Sequence, residues 1–144
     1  MKIGTEVSIS AAHIVQTTES KCSNIHGHNW DIYISIDSNV QDDGMVVDFN
    51  NIKNLINVLD HKLILPEEII EVDMTNRNNY VVEVHDKMYS IPKSDCYLVS
   101  IPVVTAEYLA NLIWNMINAE FSIVDFTVRV YESKKSWAEY GGAI

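Results

Sequence analysis

The chain has 144 residues, 47% of them hydrophobic, which is about one domain's length and enough apolar material for its own core. Its 20 acidic residues against 10 basic ones give a formal charge of −10, which excludes the clustered Lys and Arg of a nucleic-acid-binding surface. No apolar run approaches the ~18 residues of a membrane span, and Met1 to Glu6 carries no hydrophobic leader, so a soluble cytoplasmic protein is expected. Two cysteines, Cys22 and Cys96, are too few for a disulfide framework and are expected to act, if at all, as thiols.

Ile3, Val7, Ile9 and Ala11 share one parity against Glu6, Ser8 and Ser10, the period of a half-buried strand. A second strand runs from Trp30 to Asp37 with its even positions apolar, and breaks at Ser38-Asn39. Asp43-Gly44 reads as a turn into a short strand, Met45-Val46-Val47. Asp48 can cap a helix in which Phe49, Ile52, Leu55, Ile56 and Leu59 form one face, ending near Asp60-His61. Val81 to Ile91 alternates around His85-Asp86-Lys87 as a hairpin. Thr105 caps a second helix with Leu109, Leu112, Ile113, Met116 and Ile117 at helical spacing. The last strand is expected over Ile123 to Glu132, with Val124, Phe126, Val128 and Val130 on one face. No repeat or linker divides the chain. The order predicts one α+β domain over residues 1–144: a four-stranded antiparallel sheet, two helices on one face, and an insertion at about 66–103 that carries the hairpin.

The inward parity of the second strand, extended backwards, reaches His28 and then His26, and the inward face of the first strand extends to His13. Three imidazoles are therefore expected at the ends of two apolar faces, which is the ligand set of an open, catalytic zinc site. The competing reading of His26-Gly27-His28 is a turn with two ordinary polar side chains. Cys22, in a polar loop beside Lys21, is either a partly ionised thiol able to act as base or nucleophile, a fourth zinc ligand that closes the site, or a loop residue without chemistry. Asp60 beside His61 can orient the imidazole and suits proton transfer, although an Asp-His dipeptide also arises by chance. His85 reads as a solvated turn residue and Cys96 as a bystander. Glu132 lies on the inward face of the last strand and needs a partner: either the guanidine-like edge of a pterin or guanine, or a salt bridge to Arg129, Lys134 or Lys135.

Taken together, His13, the run Cys22 to Trp30, Leu59-Asp60-His61, Thr105 to Ala110 and Val130-Tyr131-Glu132 resemble the 6-pyruvoyl-tetrahydropterin synthase family. The resemblance covers about Met1 to Leu65 and Val104 to Ser133. The sequence departs from it in the longer middle section and in Val104, where the family commonly has proline. It implies a tunnelling fold whose subunits assemble as trimers or hexamers. It also implies one zinc per subunit on His13, His26 and His28, with Cys22 as the proton-abstracting base, Asp60 and His61 as a relay pair, and Glu132 and Thr105 at the pterin. The implied substrate is dihydroneopterin triphosphate. The three residues between Cys22 and His26 are associated with the carboxy-forming subgroup, which cleaves the side chain and releases acetaldehyde and triphosphate on the route to the 7-deazaguanine nucleosides queuosine and archaeosine. The alternatives are the pyruvoyl-forming reaction and a hydroxymethyl-pterin-forming one, for which Glu19 is a candidate residue. From another class comes a non-catalytic zinc- or pterin-binding protein.

Overall fold

The computed structural model describes residues 1–71, 77–123 and 125–142. Two long strands, β1 (Lys2–His13) and β2 (His26–Asp37), pair antiparallel along their whole length, from Lys2 opposite Asp37 to His13 opposite His26. This register continues the parity of both strands to their ends. Asp48 then caps α1 (Phe49–Ile56) by accepting the Asn50 amide at 2.8 Å, and a 3-10 turn over Asn57–Leu59 delivers the chain to Asp60. Beyond it lie β3 (Leu63–Pro66), β4 (Ile70–Glu71), the hairpin β5 (Asn79–Val84) and β6 (Lys87–Pro92), and β7 (Cys96–Val99). Thr105 caps α2 (Ala106–Phe121), which ends at Ser122 in a left-handed conformation. The chain finishes with β8 (Phe126–Ser133) and β9 (Ser136–Gly141).

The main sheet has the order β7-β3-β1-β2-β8-β9. Its β1-β2-β8-β9 portion is the expected four-stranded antiparallel unit, but the fourth strand is β9 rather than Met45-Val46-Val47. Those three residues form no strand: the Gln41 amide bonds the Met45 carbonyl at 2.8 Å and turns the chain, and Val46 is buried without a ladder partner. On the other edge, β3 and β7 extend the sheet in parallel, with β3 pairing to β1 at Ala12 and Leu63. The hairpin joins β4 in a separate three-stranded sheet. The last strand begins at Phe126 rather than Ile123, and Val124 lies outside the described residues.

Both helices cover one face of the main sheet. Ile52, Ile56, Leu59, Ala106, Leu109, Ala110, Ile113 and Ile117 pack on Val7, Ile9, Trp30, Ile32, Ile34, Phe126, Val128 and Val130. Burial of this stripe, rather than helix propensity, holds two short helices in place. Phe49 is the exception to the expected inner face, standing exposed at the first turn of α1. A second apolar cluster, Ile14, Leu63, Leu65, Val82, Val84 and Cys96, ties the hairpin sheet to the end of β1 and to β3 and β7. Gly141, at φ +106°, is fixed by space as well as conformation, because a Cβ there would lie 2.3 Å from the Phe126 carbonyl oxygen.

Candidate active site

Where β1 and β2 end, the inward face stops being aliphatic. Trp30 is fully buried, donates its indole N–H to the Ala11 carbonyl at 3.2 Å, and presents its rings to His13 and His28, each 5.0 Å away between centroids. His26 stands over His13 with 4.4 Å between ring centres. The three imidazoles are therefore brought together by strand register alone.

Hydrogen bonding leaves the Nε2 atoms available. The Nδ1–H of His13 is donated to the Val104 carbonyl at 2.6 Å, and that of His26 to the Asn24 carbonyl at 2.8 Å, the tautomer in which Nε2 keeps its lone pair. His13 Nε2 and His28 Nε2 are buried without a hydrogen bond. Burial lowers the His13 pKa to about 4 against a weaker opposing effect of the Val104 carbonyl, and burial also lowers His28, with Glu132 opposing. Neutral, converging nitrogens with no partner are what a divalent metal requires and what a packed core avoids.

Glu132, on β8, completes the group. Its Oε1 lies 3.2 Å from His28 Nε2 and 3.9 Å from His13 Nε2, neither aligned as a hydrogen bond, and the four donor atoms all fall within 4.8 Å of one another. Arg129 does not pair with Glu132: its Nε reaches Glu139 at 2.9 Å and its guanidinium lies over Trp137. The half-exposed Glu132 carboxylate thus has one edge at the histidines and is free to meet a ligand.

Cys22 is half-buried in a 3-10 turn, Lys21–Ser23, where the Ser20 hydroxyl accepts its amide hydrogen at 3.3 Å and its carbonyl accepts the Val15 amide at 2.9 Å. Among the described residues the metal-capable cluster does not include it, so a closed His₃Cys site is not what the fold builds. Asp60 and His61 stand at the outer edge of β1. Asp60 Oδ1 accepts the Ser10 amide at 2.8 Å, Oδ2 lies 2.9 Å from His61 Nδ1, and the His61 amide donates to the Ser10 carbonyl at 2.7 Å. The Ser10 amide first, and His61 second, hold the Asp60 carboxyl below its ordinary value. His61 is 82% exposed, with φ +58°, and lines with His28, Gly27, Ser10 and Lys62 an open groove of about 680 Å³. Thr105 is occupied as the cap of α2, its hydroxyl 3.5 Å from the Tyr108 amide. Cys96 is buried, and burial raises its thiol pKa, in keeping with a bystander.

Sequence reasoning missed two participants. Val104 and Asn24 act through backbone carbonyls, which residue type does not announce, and the approach of Glu132 to the histidines depends on how far β8 runs past Val130. The one available signal was parity, which aimed Glu132 inward.

A curled α+β sheet with helices on one face and a histidine pocket at the strand ends defines a tunnelling-fold enzyme. The family model described as 6-pyruvoyl tetrahydropterin synthase matches residues 2–143, and the chain belongs to that family. A Pyrococcus abyssi protein carrying the provisional name 6-carboxy-5,6,7,8-tetrahydropterin synthase is 37% identical over 124 residues, 84% of this chain and 76% of its own. A Haemophilus influenzae 6-carboxy-5,6,7,8-tetrahydropterin synthase is 25% identical over 153 residues, spanning 96% of this chain and 97% of its own. Among solved structures, the Plasmodium falciparum 6-pyruvoyl tetrahydropterin synthase superposes with a TM-score of 0.78 at 26% identity, covering 97% of this chain and 96% of its own. The Plasmodium vivax enzyme, in a variant whose catalytic glutamate is replaced by cysteine, also gives 0.78 at 26% identity, with the same two coverages.

Proposed function

We propose that the protein is a zinc-dependent lyase that converts 7,8-dihydroneopterin triphosphate and water to 6-carboxy-tetrahydropterin, acetaldehyde and triphosphate, a step toward queuosine- or archaeosine-type 7-deazaguanine nucleosides. The observation that carries this is the convergence of His13, His26 and His28, in which the Nε2 atoms of His13 and His28 are buried without a hydrogen bond, at the end of the loop that carries Cys22. The relatives named as carboxy-forming enzymes support this choice among the family's reactions. The pyruvoyl-forming reaction is the second reading, favoured by the solved structures this fold superposes on.

His13, His26 and His28 would hold the metal, whose Lewis acidity, when bound, eases loss of protons from the substrate side chain. Glu132 would accept two N–H donors from the pterin edge, orienting the ring. Cys22 then takes a proton from the side chain as thiolate, and His61, kept in one tautomer by Asp60, returns or relays a proton at the opposite side. Thr105, capping α2 beside the Val104 carbonyl, borders the ring. Lys62 in the groove is a cation suited to the phosphate tail despite the acidic chain. The whole chain would act as one domain with 66–103 as its insertion, in the cytoplasm, and with neither nucleic acid nor membrane as partner. The main sheet leaves β7 and β9 as open edges among the described residues, and Trp137 and Tyr140 on β9 are exposed, which favours closure by further copies into a trimer or hexamer.

Cys22→Ala separates binding from chemistry. The variant should keep about one metal ion per chain by elemental analysis while turnover of dihydroneopterin triphosphate falls by at least about a hundredfold. Loss of the metal with the thiol would instead make Cys22 a ligand.

A further inference from the structure

The inserted hairpin ends in the exposed turn His85-Asp86-Lys87, which bonds to the loop that carries Cys22. His85 Nε2 lies 2.7 Å from the Thr18 carbonyl, and Lys87 Nζ donates to the Asn24 side-chain oxygen. The two contacts span 67 and 63 residues of sequence and meet the Cys22 loop at both ends. Between them the loop is held by its own bonds. The Val15 amide reaches the Cys22 carbonyl, the Ser23 amide and hydroxyl reach the Ser20 carbonyl at 3.0 and 2.8 Å, and the Asn24 amide reaches the Lys21 carbonyl at 3.1 Å. Asn24 is the shared member. Its side chain takes the Lys87 ammonium while its carbonyl takes the Nδ1–H of His26. His85 adopts φ +55°, an uncommon conformation for a residue with a Cβ, and it places the imidazole beside Thr18. The hairpin itself is anchored by Val82 and Val84, buried against Ile14 at the root of the same loop.

We propose that the hairpin turn is a clamp on the catalytic loop, with His85 and Lys87 as positioning residues that fix the Cys22 thiol and, through Asn24, the orientation of His26. The proposal rests on the reading of Cys22 as the base. Its physical content is that a short polar loop with no buried side chain in its 3-10 turn has little packing to hold it, so long-range hydrogen bonds set its order. Positioning errors of this kind act on the chemical step more than on substrate binding.

The test uses the metal-loaded protein in a Cys96→Ser background, so that one thiol reports. His85→Ala, Lys87→Met and the double variant are compared with His85→Gln, whose amide can still donate to the Thr18 carbonyl. The double variant should exchange the amides of Val15, Ser23 and Asn24 about tenfold faster, the order of protection one such contact carries. The iodoacetamide alkylation rate of Cys22 should change, and kcat should fall with KM nearly constant. His85→Gln should recover most of the loss. Because both side chains are exposed, the melting temperature should hardly move; should the double variant fail to fold, Lys87→Met alone carries the same readouts. A folded variant with unaltered exchange and alkylation overturns the clamp. If exchange and alkylation respond as expected while the wild-type protein does not turn over dihydroneopterin triphosphate, the clamp stands and the proposed reaction falls.

Discussion

Acidification of the metal-free protein probes the histidine pocket without reference to turnover. His13 is fully buried, and its pKa falls from 6.5 to about 4, chiefly through burial. An unfolded chain binds a proton at this residue near pH 6.5, whereas the folded chain does not until about pH 4. The contribution is therefore fully present above pH 6.5, declines as the pH falls toward 4, and declines no further below it. Its full size is roughly 3 kcal/mol, a large share of the stability of a small domain. His28 shifts in the same direction and adds to the slope. Opposing both, the net charge of −10 is progressively neutralised on acidification, which relieves self-repulsion. Urea unfolding of the chelator-treated protein, followed by tryptophan fluorescence from about pH 7 to pH 4, measures the sum. The same series on His13→Phe removes the titration while leaving the charge background in place. The wild-type stability should drop by roughly 2–3 kcal/mol more than the variant's over this interval. Parallel curves would refute the claim that His13 is held neutral by burial, whatever the absolute stabilities.

Three further outcomes follow from the Asp60–His61 pair and from the open sheet edges. Asp60→Asn keeps an acceptor for the Ser10 amide but loses the charge that orients His61, so kcat should fall by about 10²-fold with KM little altered. Because the Asp60 pKa is depressed, the wild-type contribution is present above the ordinary carboxylate value and is lost as the pH falls below it, so the acid limb of the activity profile should steepen only at low pH. Light scattering should give a mass three or six times the 16.4 kDa of one chain, and a monomer that is fully active would remove the argument from the open sheet edges.

Much of the site could be read from parity. The inward sets of β1 and β2 extended to His13, His26 and His28, and the register of the two strands places them together as the alternation required. The caps Asp48 and Thr105 were legible for a local reason, since each accepts an amide of its own first turn. The missed strands lack that kind of signal. Leu63–Pro66 and Cys96–Val99 are four-residue stretches, and the first is buried on every side, so periodicity has nothing to act on. Ser136–Gly141 is an edge strand with exposed Trp137 and Tyr140, and its apolar residues do not alternate with a core. Met45-Val46-Val47 misled through β-branched composition alone, without a partner strand to pair with. His85 is exposed as its turn position suggested, but its bond to the Thr18 carbonyl is set by how the hairpin packs on the loop after β1, a relation no local pattern carries.

The central claim is that the histidine pocket and Cys22 cut the substrate side chain rather than keep it. Incubation of the metal-loaded protein with 7,8-dihydroneopterin triphosphate, with the pterin analysed by mass spectrometry and the volatile carbonyl trapped as a hydrazone, decides it. The account predicts 6-carboxy-tetrahydropterin and acetaldehyde in equal amounts. A pterin that retains all three side-chain carbons, or a hydroxymethyl pterin without acetaldehyde, would contradict it.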